Sequence, residues 1–348
     1  MQAIRRRIQL KITDLEYYPA AAGLLRIVTD DEPDGVCFGV GRDAANAIDA
    51  HFRATLIGAD PLNRERLWQE GMRLDRYKYL AHGVRGLVDV ALWDLAGKAA
   101  GLPVYRLAGG YRDRLPCYMS GHHHDDLQAY VDEALRARAE GFAGYKDHCH
   151  LGADGMAQVA RACRAAVGDD FHLMHDAVAQ YILIDALRLG RVLDETKYYW
   201  FEEPLKDCDI AGLKQLCDAL DLPIAATEYL PGTIHATAQV LAQGAADIVR
   251  ASVPWRGGIT DMLKIARLAE SFDVACEITS VGGSFGFVHA QVIGALRNCT
   301  FFEGWKTGSL GGEPYITNPI HIVDGHVRVP QGPGLGLDLD WDAIRKAA

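Results

Sequence analysis

The sequence predicts an α/β protein in which an eight-stranded (β/α) barrel follows a smaller α+β domain. First, Asp176, Glu202 and Glu228 each end a strand-like run, and they lie 26 residues apart (176 to 202, 202 to 228). One strand with its returning helix takes up about that length of chain in a (β/α) barrel. Second, the pattern changes near residue 113, from strands followed by long helices to alternating strands and helices.

The predicted front domain covers residues 1–112. Its first 41 residues contain the β-rich runs RRRIQLKIT, GLLRIVTD and VCFGVG and the turn DDEPDG, which together predict a three-stranded antiparallel sheet. Residues 43–101 have apolar side chains at helical spacing. The clearest helical run is HGVRGLVDVALWDLAGKAAG, whose last glycine is a typical helix stop.

The predicted barrel covers residues 113–320. Strand-like runs end at intervals of roughly 24 to 30 residues, and amphipathic segments such as DLQAYVDEALRARAEG lie between them. The predicted strand ends are near Ser120, Lys146, Asp176, Glu202, Glu228, Ser252, Thr279 and Glu303. The tail, residues 321–348, again has a strand-and-turn pattern, and we expect it to pack back on the front domain.

Composition excludes several classes of function. The 348-residue chain has a net charge of −10, which argues against non-specific nucleic-acid binding. It contains no run of 18 apolar residues, so we expect no membrane span, and its N-terminus lacks the apolar stretch of a signal peptide. Its eight cysteines are dispersed and form no CxxC motif, which is typical of a reduced, cytoplasmic protein.

The three evenly spaced acids predict a metal site. Carboxyl ends of successive barrel strands meet on one face, so Asp176, Glu202 and Glu228 should converge there. Three hard oxygen ligands suit Mg²⁺, with Mn²⁺ possible as an alternative. The competing interpretation is that these residues are solvated acids or helix N-caps.

A candidate base lies on the second barrel strand. Residues two apart on a strand point the same way, so Lys146 and His148 should face the same side. The pKa of histidine is near neutrality, which suits a general base. The competing interpretation is a pair of ordinary surface residues.

The chain resembles the enolase superfamily and, within it, the mandelate racemase subgroup, over nearly its whole length. The motifs that carry the resemblance are RGLVDVALWDLAGKAAGLPVYRLAGG, YKDH, LMHDA, WFEEP, ATE, RGGIT and GPGLGLDLD. The resemblance implies a (β/α)₇β TIM-like barrel with an N-terminal capping domain that the C-terminal tail completes. It also implies Mg²⁺-dependent removal of the proton next to a carboxylate. Members then racemise, cycloisomerise or dehydrate the resulting enediolate.

The resemblance also implies roles for individual residues. Asp176, Glu202 and Glu228 match the family's metal ligands. His148 matches the residue that removes the α-proton, and Lys146 its neighbour near the substrate carboxylate. Glu303 matches an acid that donates a hydrogen bond to the substrate carboxylate, for which its pKa must be raised.

One departure from the family bears on the reaction. Many members carry a second base, a histidine on the seventh strand paired with an aspartate on the sixth, and those positions hold Thr279 and Ser252. Racemisation by two bases is therefore disfavoured, whereas His148 alone can remove a proton and return it to a leaving hydroxyl. We expect syn dehydration of a sugar acid to a 2-keto-3-deoxy acid, with Tyr229 or Glu277 as candidate stand-in acids.

Further candidates for substrate contact are His122 and His123 after the first barrel strand, and Tyr18 in the first loop of the front domain. The expected partner is a small carboxylate, and a homo-oligomer between dimer and octamer is implied by the family. Two alternatives stay open. One is a racemase, epimerase or cycloisomerase that acts on a hydroxy acid, and the other is a barrel that binds a carboxylate without catalysis.

Overall fold

The computed structural model describes residues 10–20, 23–279, 282–305 and 314–347. Its first part is a three-stranded antiparallel sheet in the order β1-β2-β3, as predicted. The strands are β1 (Ile12–Tyr18), β2 (Leu24–Thr29) and β3 (Gly35–Phe38). Residues 5–9 of the predicted run RRRIQLKIT lie outside the described residues.

A group of helices follows the sheet, and one of them links it to the barrel. These helices are α1 (Arg42–His51), α2 (Arg53–Leu56), α3 (Arg64–Lys78), α4 (His82–Ala100) and α5 (Val104–Leu107). The middle of α4 is buried on every side, which explains why its sequence is apolar around the whole helix. Gly101 ends α4 with φ +64°, a left-handed conformation that glycine adopts readily, so the predicted glycine stop is confirmed.

In the described residues, eight parallel strands form the barrel, and the last of them pairs with the first. The strands are β4 (Arg114–Ser120), β5 (Gly144–Asp147), β6 (His172–Asp176), β7 (Trp200–Glu202), β8 (Ile224–Ala226), β9 (Ile248–Ala251), β10 (Ala275–Ile278) and β11 (Phe302–Trp305). Tyr118, Met174, Trp200 and Ile248 belong to a buried apolar cluster that lies below the polar residues of the strand ends.

The intervening helices form the outer layer. They are α6 (Leu127–Ala139), α7 (Gly152–Val167), α8 (Leu183–Glu195), α9 (Ile210–Ala219), α10 (Ile234–Gln243), α11 (Val253–Arg256), α12 (Ile259–Ser271) and α13 (Ser284–Ala295). The α/β fold class predicted from the sequence is therefore confirmed. In the described part of the chain, no helix combines the length and apolar character needed to cross a bilayer.

The tail packs beside the start of the barrel and against the front sheet. It contains β12 (Ile322–Val323), β13 (His326–Arg328) and α14 (Trp341–Lys346), and β13 pairs antiparallel with β4. The Trp341 ring lies 5.9 Å from that of Tyr18 on β1. This packing agrees with the expected return of the tail, while the domain boundaries at 112/113 and 320/321 stay predictions.

Candidate functional site

A cavity of about 190 Å³ lies at the carboxyl ends of the barrel strands. The parallel register places Asp176 opposite Glu202, at the ends of β6 and β7, and Glu228 follows β8 by two residues. The residues that line the cavity are Lys146, His148, Asp176, Val178, Glu203, Glu228, Tyr229, Trp255, Thr279 and Glu303. Six residues singled out from the sequence as candidate metal, catalytic or substrate-contact groups therefore surround one space.

Lys146 lies among the carboxylates. Its Nζ is 2.9 Å from Glu303 Oε1, 3.0 Å from Glu202 Oε1 and 3.3 Å from Asp176 Oδ2. Burial would lower the pKa of this fully enclosed amine, but the charges of Glu202 and Glu303 outweigh burial and raise it well above its usual value. Lys146 is therefore a fixed positive charge on the floor of the cavity.

Arg250 is a second buried cation that the sequence analysis missed. Its Nε lies 2.7 Å from Glu202 Oε1, and its Nη2 lies 2.6 Å from Glu303 Oε2 and donates to the Tyr118 hydroxyl at 2.9 Å. Strand alternation carried a signal for it, because Arg250 is two residues before Ser252 and so shares its inward face. Charged residues are rarely fully buried without a partner, so an arginine in a buried strand indicates a paired acid nearby.

The contacts of Glu303 differ from those expected for an acid with a raised pKa. Its carboxylate contacts Lys146 and Arg250 and also accepts a hydrogen bond from Thr279 Oγ1 at 2.8 Å. Burial would raise its pKa, but Lys146 and Arg250 outweigh burial and hold the pKa well below the ordinary range. These contacts favour the carboxylate form of Glu303, which accepts hydrogen bonds, and its role towards the substrate stays a prediction.

His148 is oriented by a hydrogen bond to Gly121, the residue that follows β4. Its Nδ1 lies 3.0 Å from the Gly121 carbonyl oxygen, so Nδ1 carries a proton and donates it. Its Nε2 lies 3.3 Å from Asp176 Oδ2. Burial would lower the pKa of His148, but the hydrogen bond and charge of Asp176 raise it above the ordinary value. The nitrogen suited to proton transfer therefore points to the metal-ligand side of the cavity.

The charge of the site fits a divalent cation. Among the described residues, Lys146 and Arg250 are the cations that directly contact a buried group of carboxylates, which comprises Asp176, Glu202, Glu203, Glu228 and Glu303. Burial, followed by repulsion from neighbouring carboxylates, raises the pKa of Glu203, and burial also raises that of Glu228 even though Arg250 opposes the shift. An uncompensated cluster of carboxylate oxygens is the donor set that Mg²⁺ prefers.

The three predicted metal ligands, Asp176, Glu202 and Glu228, are not arranged around one point in this structure. In the described residues, no three histidine, cysteine, aspartate or glutamate side chains form a ready coordination geometry. The Glu202 carboxylate is turned to Lys146 and Arg250, and it accepts a hydrogen bond from Trp200 Nε1 at 2.9 Å. The number and chemistry of the donors fit a metal, and Glu202 is the ligand that would have to exchange partners.

The remaining candidates lie at different distances from the cavity. Tyr229 lines it directly. His123 is next to it, because its Nδ1 is 2.7 Å from the His148 carbonyl oxygen and the two rings are 5.9 Å apart. His122 Nδ1 instead contacts Glu133 Oε1 at 3.1 Å, and Tyr18 donates to Glu16 at 2.7 Å in the front sheet.

Glu277, on β10, is occupied elsewhere. Its carboxylate accepts hydrogen bonds from the backbone N–H groups of Thr300 and Phe301, at 2.8 and 3.1 Å, just before β11 begins. It thereby links β10 to the segment that leads into β11, and it does not line the cavity. Its position indicates that it helps to close the barrel.

Family models match both parts of the chain. Residues 24–109 match the description "Mandelate racemase / muconate lactonizing enzyme, N-terminal domain", and residues 129–343 match "Enolase C-terminal domain-like". The chain belongs to the mandelate racemase/muconate lactonizing enzyme family of the enolase superfamily. The resemblance seen in the sequence is thus confirmed.

Relatives within this family include dehydratases and cycloisomerases. The chain is 30% identical over 336 residues to an L-talarate/galactarate dehydratase from Salmonella typhimurium, covering 92% of this chain and 81% of the relative. It is 30% identical over 318 residues to a 3,6-anhydro-alpha-L-galactonate cycloisomerase from Streptomyces coelicolor, covering 88% and 84%. A D-glucarate dehydratase structure from Agrobacterium tumefaciens, complexed with magnesium, superposes with a TM-score of 0.90 at 30% identity, covering 97% of this chain and 99% of that one.

Proposed function

We propose that this family member removes the proton next to the carboxylate of a sugar acid and then expels water, giving a 2-keto-3-deoxy acid. One observation carries the proposal: Lys146, His148, Asp176, Glu228 and Glu303 line a single cavity at the carboxyl ends of the barrel strands. The relatives named as dehydratases of galactarate and glucarate support the class of reaction and of substrate.

Asp176, Glu202 and Glu228 are the proposed ligands of Mg²⁺. When bound, the ion supplies Lewis-acid stabilisation of the negative charge that develops on the substrate carboxylate. The magnesium in the glucarate dehydratase structure supports this assignment. Lys146 adds a buried positive charge to the same end of the cavity, and the carboxylates of Glu202 and Glu303 hold it in place.

His148 performs the proton transfers in this proposal. Its Nε2 takes the proton from C2, which leaves an imidazolium that still donates from Nδ1 to the Gly121 carbonyl oxygen. The imidazolium then returns a proton to the hydroxyl on C3 as the C3–O bond breaks. Water leaves, and the resulting enol becomes the keto acid. Both transfers occur on one face of the substrate, so the elimination is syn.

The opposite side of the site favours dehydration over racemisation. Thr279 Oγ1 donates to Glu303 at 2.8 Å, and the buried Ser252 hydroxyl has no hydrogen-bond partner among the described residues. Neither side chain is a base at neutral pH. A racemase needs a proton acceptor on each face of the α-carbon. Of the described lining residues, Lys146 lies on β5 and His148 directly follows that strand, so both come from one side.

A cycloisomerase is the second candidate. The Streptomyces coelicolor relative with that activity is as similar to this chain, at 30% identity, as the galactarate dehydratase. Cycloisomerisation also begins with loss of the proton next to a carboxylate, and a base on one face can perform it. The fate of the C3 or C4 oxygen separates the two reactions.

We further propose that the protein acts in the cytoplasm as a homo-oligomer. The eight cysteines are all free, six of them buried, which supports a reducing compartment. Size-exclusion chromatography with light scattering would test the oligomeric state, and a monomer at micromolar concentration would contradict it.

A substrate screen tests the proposed reaction. The Mg²⁺-loaded protein is incubated with mono- and di-acid sugars, and 2-keto-3-deoxy acids are detected as semicarbazones by their absorbance. We expect product with at least one acid, and none after chelation of the metal. A blank screen with a protein shown to bind Mg²⁺ would contradict dehydration, and isomeric products of unchanged mass would favour cycloisomerisation.

A further inference from the structure

The active cavity has two chemically different walls. Its floor is charged, with Lys146 and Glu303 fully buried, whereas Val178, Tyr229 and Trp255 form an apolar wall along its rim. These three side chains are 56%, 51% and 39% exposed. Single exposed apolar residues are common, but several that line one cavity are typical of a ligand-binding surface.

Tyr229 and Trp255 form a paired aromatic surface. Their ring centroids lie 4.6 Å apart with an interplanar angle of 31°. Tyr229 follows the predicted ligand Glu228 directly, and its backbone N–H donates to Asp207 Oδ1 at 3.0 Å. Both rings are thus placed beside the reacting end of the cavity.

The buried Arg256 connects the helix that carries Trp255 to the loop that carries Tyr229. Trp255 lies on α11, and its neighbour Arg256 donates to the Thr227 carbonyl oxygen and, at 2.8 Å, to Thr237 Oγ1. Thr227 precedes Glu228 and Tyr229 on the loop after β8. The two rings are consequently carried by elements that are hydrogen-bonded to each other, which favours a preformed surface.

The charges near this wall disfavour a second carboxylate. The described lining residues that carry or accept a positive charge are Lys146 and His148, and both are paired with acids at the reacting end. Glu203 and Glu228 instead lie near the aromatic pair, because Glu228 precedes Tyr229 and its backbone N–H donates to Glu203 Oε1 at 2.9 Å. A second substrate carboxylate placed here would lose part of its hydration and would gain no counter-ion from the described lining residues, which is unfavourable.

We propose that Val178, Tyr229 and Trp255 form a subsite for a neutral, C–H-rich end of the substrate, so that the enzyme acts on monocarboxylic rather than dicarboxylic acids. This inference rests on the proposed function, because it takes the reacting carboxylate to lie at the charged end. The relatives include both classes, since galactarate and glucarate are diacids and 3,6-anhydro-galactonate is a monoacid.

A pair of non-reacting acids tests the subsite. Racemic 2-hydroxyhexanoate and 2-hydroxyadipate share the 2-hydroxy-carboxylate group and the chain length, and they differ only in a methyl or a carboxylate at C6. Neither has a hydroxyl on C3 to lose, so isothermal titration of the Mg²⁺-loaded protein measures binding alone. We expect 2-hydroxyhexanoate to bind at least tenfold more tightly.

Variants show whether the aromatic wall causes the preference. Trp255→Ala and Tyr229→Ala should each reduce the preference severalfold, and Trp255→Phe should retain most of it. The matched control is Tyr111→Ala, since Tyr111 is 56% exposed but does not line the cavity. This control should bind both acids as the unaltered protein does.

The outcomes separate the subsite from the proposed reaction. Equal or tighter binding of 2-hydroxyadipate, absence of binding by either acid, or a preference unchanged in both alanine variants would overturn the subsite. A preference for 2-hydroxyhexanoate that depends on Trp255, together with a blank semicarbazide screen, would support the subsite and contradict dehydration. Turnover of diacids alone would leave dehydration standing and overturn the subsite.

Discussion

Arg250 determines how the buried charges of the site are balanced. It contacts Glu202 and Glu303 at 2.7 and 2.6 Å with a side chain that is fully buried. Together with Lys146 it supplies buried positive charge that partly balances the carboxylates of the site. The site therefore has its positive charge built into the barrel interior, on a strand where the sequence analysis predicted no functional residue.

Replacement of Arg250 should weaken the fold. Arg250→Met leaves Glu202 and Glu303 with Lys146 as their remaining cation, and loss of one partner from a buried ion pair typically costs about 3–5 kcal/mol. Urea unfolding would measure the loss. The control, Arg188→Met, breaks exposed contacts to Asp154 and Asp185 and should change stability by about 0–1 kcal/mol. Equal effects of the two variants would contradict the structural role of Arg250.

Replacement of His148 should remove proton transfer without loss of the fold. A positioned general base typically increases the rate of reaction about 10²–10⁴-fold. His148→Ala should therefore slow turnover by about 10²-fold or more while Mg²⁺ still binds. His150→Ala is the matched control, because His150 is 44% exposed at its side chain and contacts Asp125 outside the cavity. Turnover that is unchanged in His148→Ala would exclude this residue as the base.

His289 should make the protein sensitive to acid. It is fully buried on α13, and burial lowers its pKa to about 3. The unfolded chain takes up a proton at a pKa near 6.5, so the neutral native form is favoured above that pH and loses stability as the pH falls towards 3.

The variant His289→Leu removes this titration. The stability of the unaltered protein relative to the variant should fall by about 2 kcal/mol between pH 7 and pH 5, because only the unfolded state gains the proton. Urea unfolding at the two pH values measures it. A difference that stays constant would mean that His289 titrates alike in the folded and unfolded states.

At the scale of elements, α4 is the main link between the front domain and the barrel. Gly86 brings it against the loop after α11, where an added Cβ would lie 2.8 Å from Gly258 N and 2.9 Å from Gly257 C. These are backbone atoms, which cannot turn aside as a flexible side chain can. The close approach explains why a glycine is used in the middle of a long buried helix.

Gly86→Ala should therefore destabilise the protein. Overpacking of this kind costs about 1–3 kcal/mol, and it opposes the gain of up to ~1 kcal/mol in helix propensity. The control is Gly41→Ala before α1, where an added Cβ meets nothing within 4 Å. Thermal unfolding should show a lower midpoint for Gly86→Ala alone, and equal midpoints would contradict the close packing.

For the whole molecule, the sequence predicted the barrel and six of the residues that line the candidate cavity. The 26-residue spacing of Asp176, Glu202 and Glu228 reflects a repeating strand and helix, and such a repeat is visible without coordinates. Strand alternation placed Lys146 and His148 on one face, and both line the cavity. The predicted class, a sugar-acid dehydratase or cycloisomerase, is the class named for the relatives.

The remaining features depend on contacts across the barrel. Arg250 and the ionisation of Glu303 follow from side chains that are far apart in sequence and meet only after the barrel closes. Glu277 was a candidate stand-in acid, yet its carboxylate accepts hydrogen bonds from backbone N–H groups. Periodicity identifies the inward face of a strand, but it does not identify the partner.

Turnover in D₂O tests the central claim, one-sided proton transfer by His148 followed by loss of water. The Mg²⁺-loaded protein is incubated with an acid found by the substrate screen, and both product and recovered acid are analysed by mass spectrometry and NMR. We predict a 2-keto-3-deoxy acid with deuterium at C3 and recovered acid of unchanged configuration at C2. Recovered acid that is deuterated at C2 in both configurations would contradict the account, because it requires a second base on the opposite face.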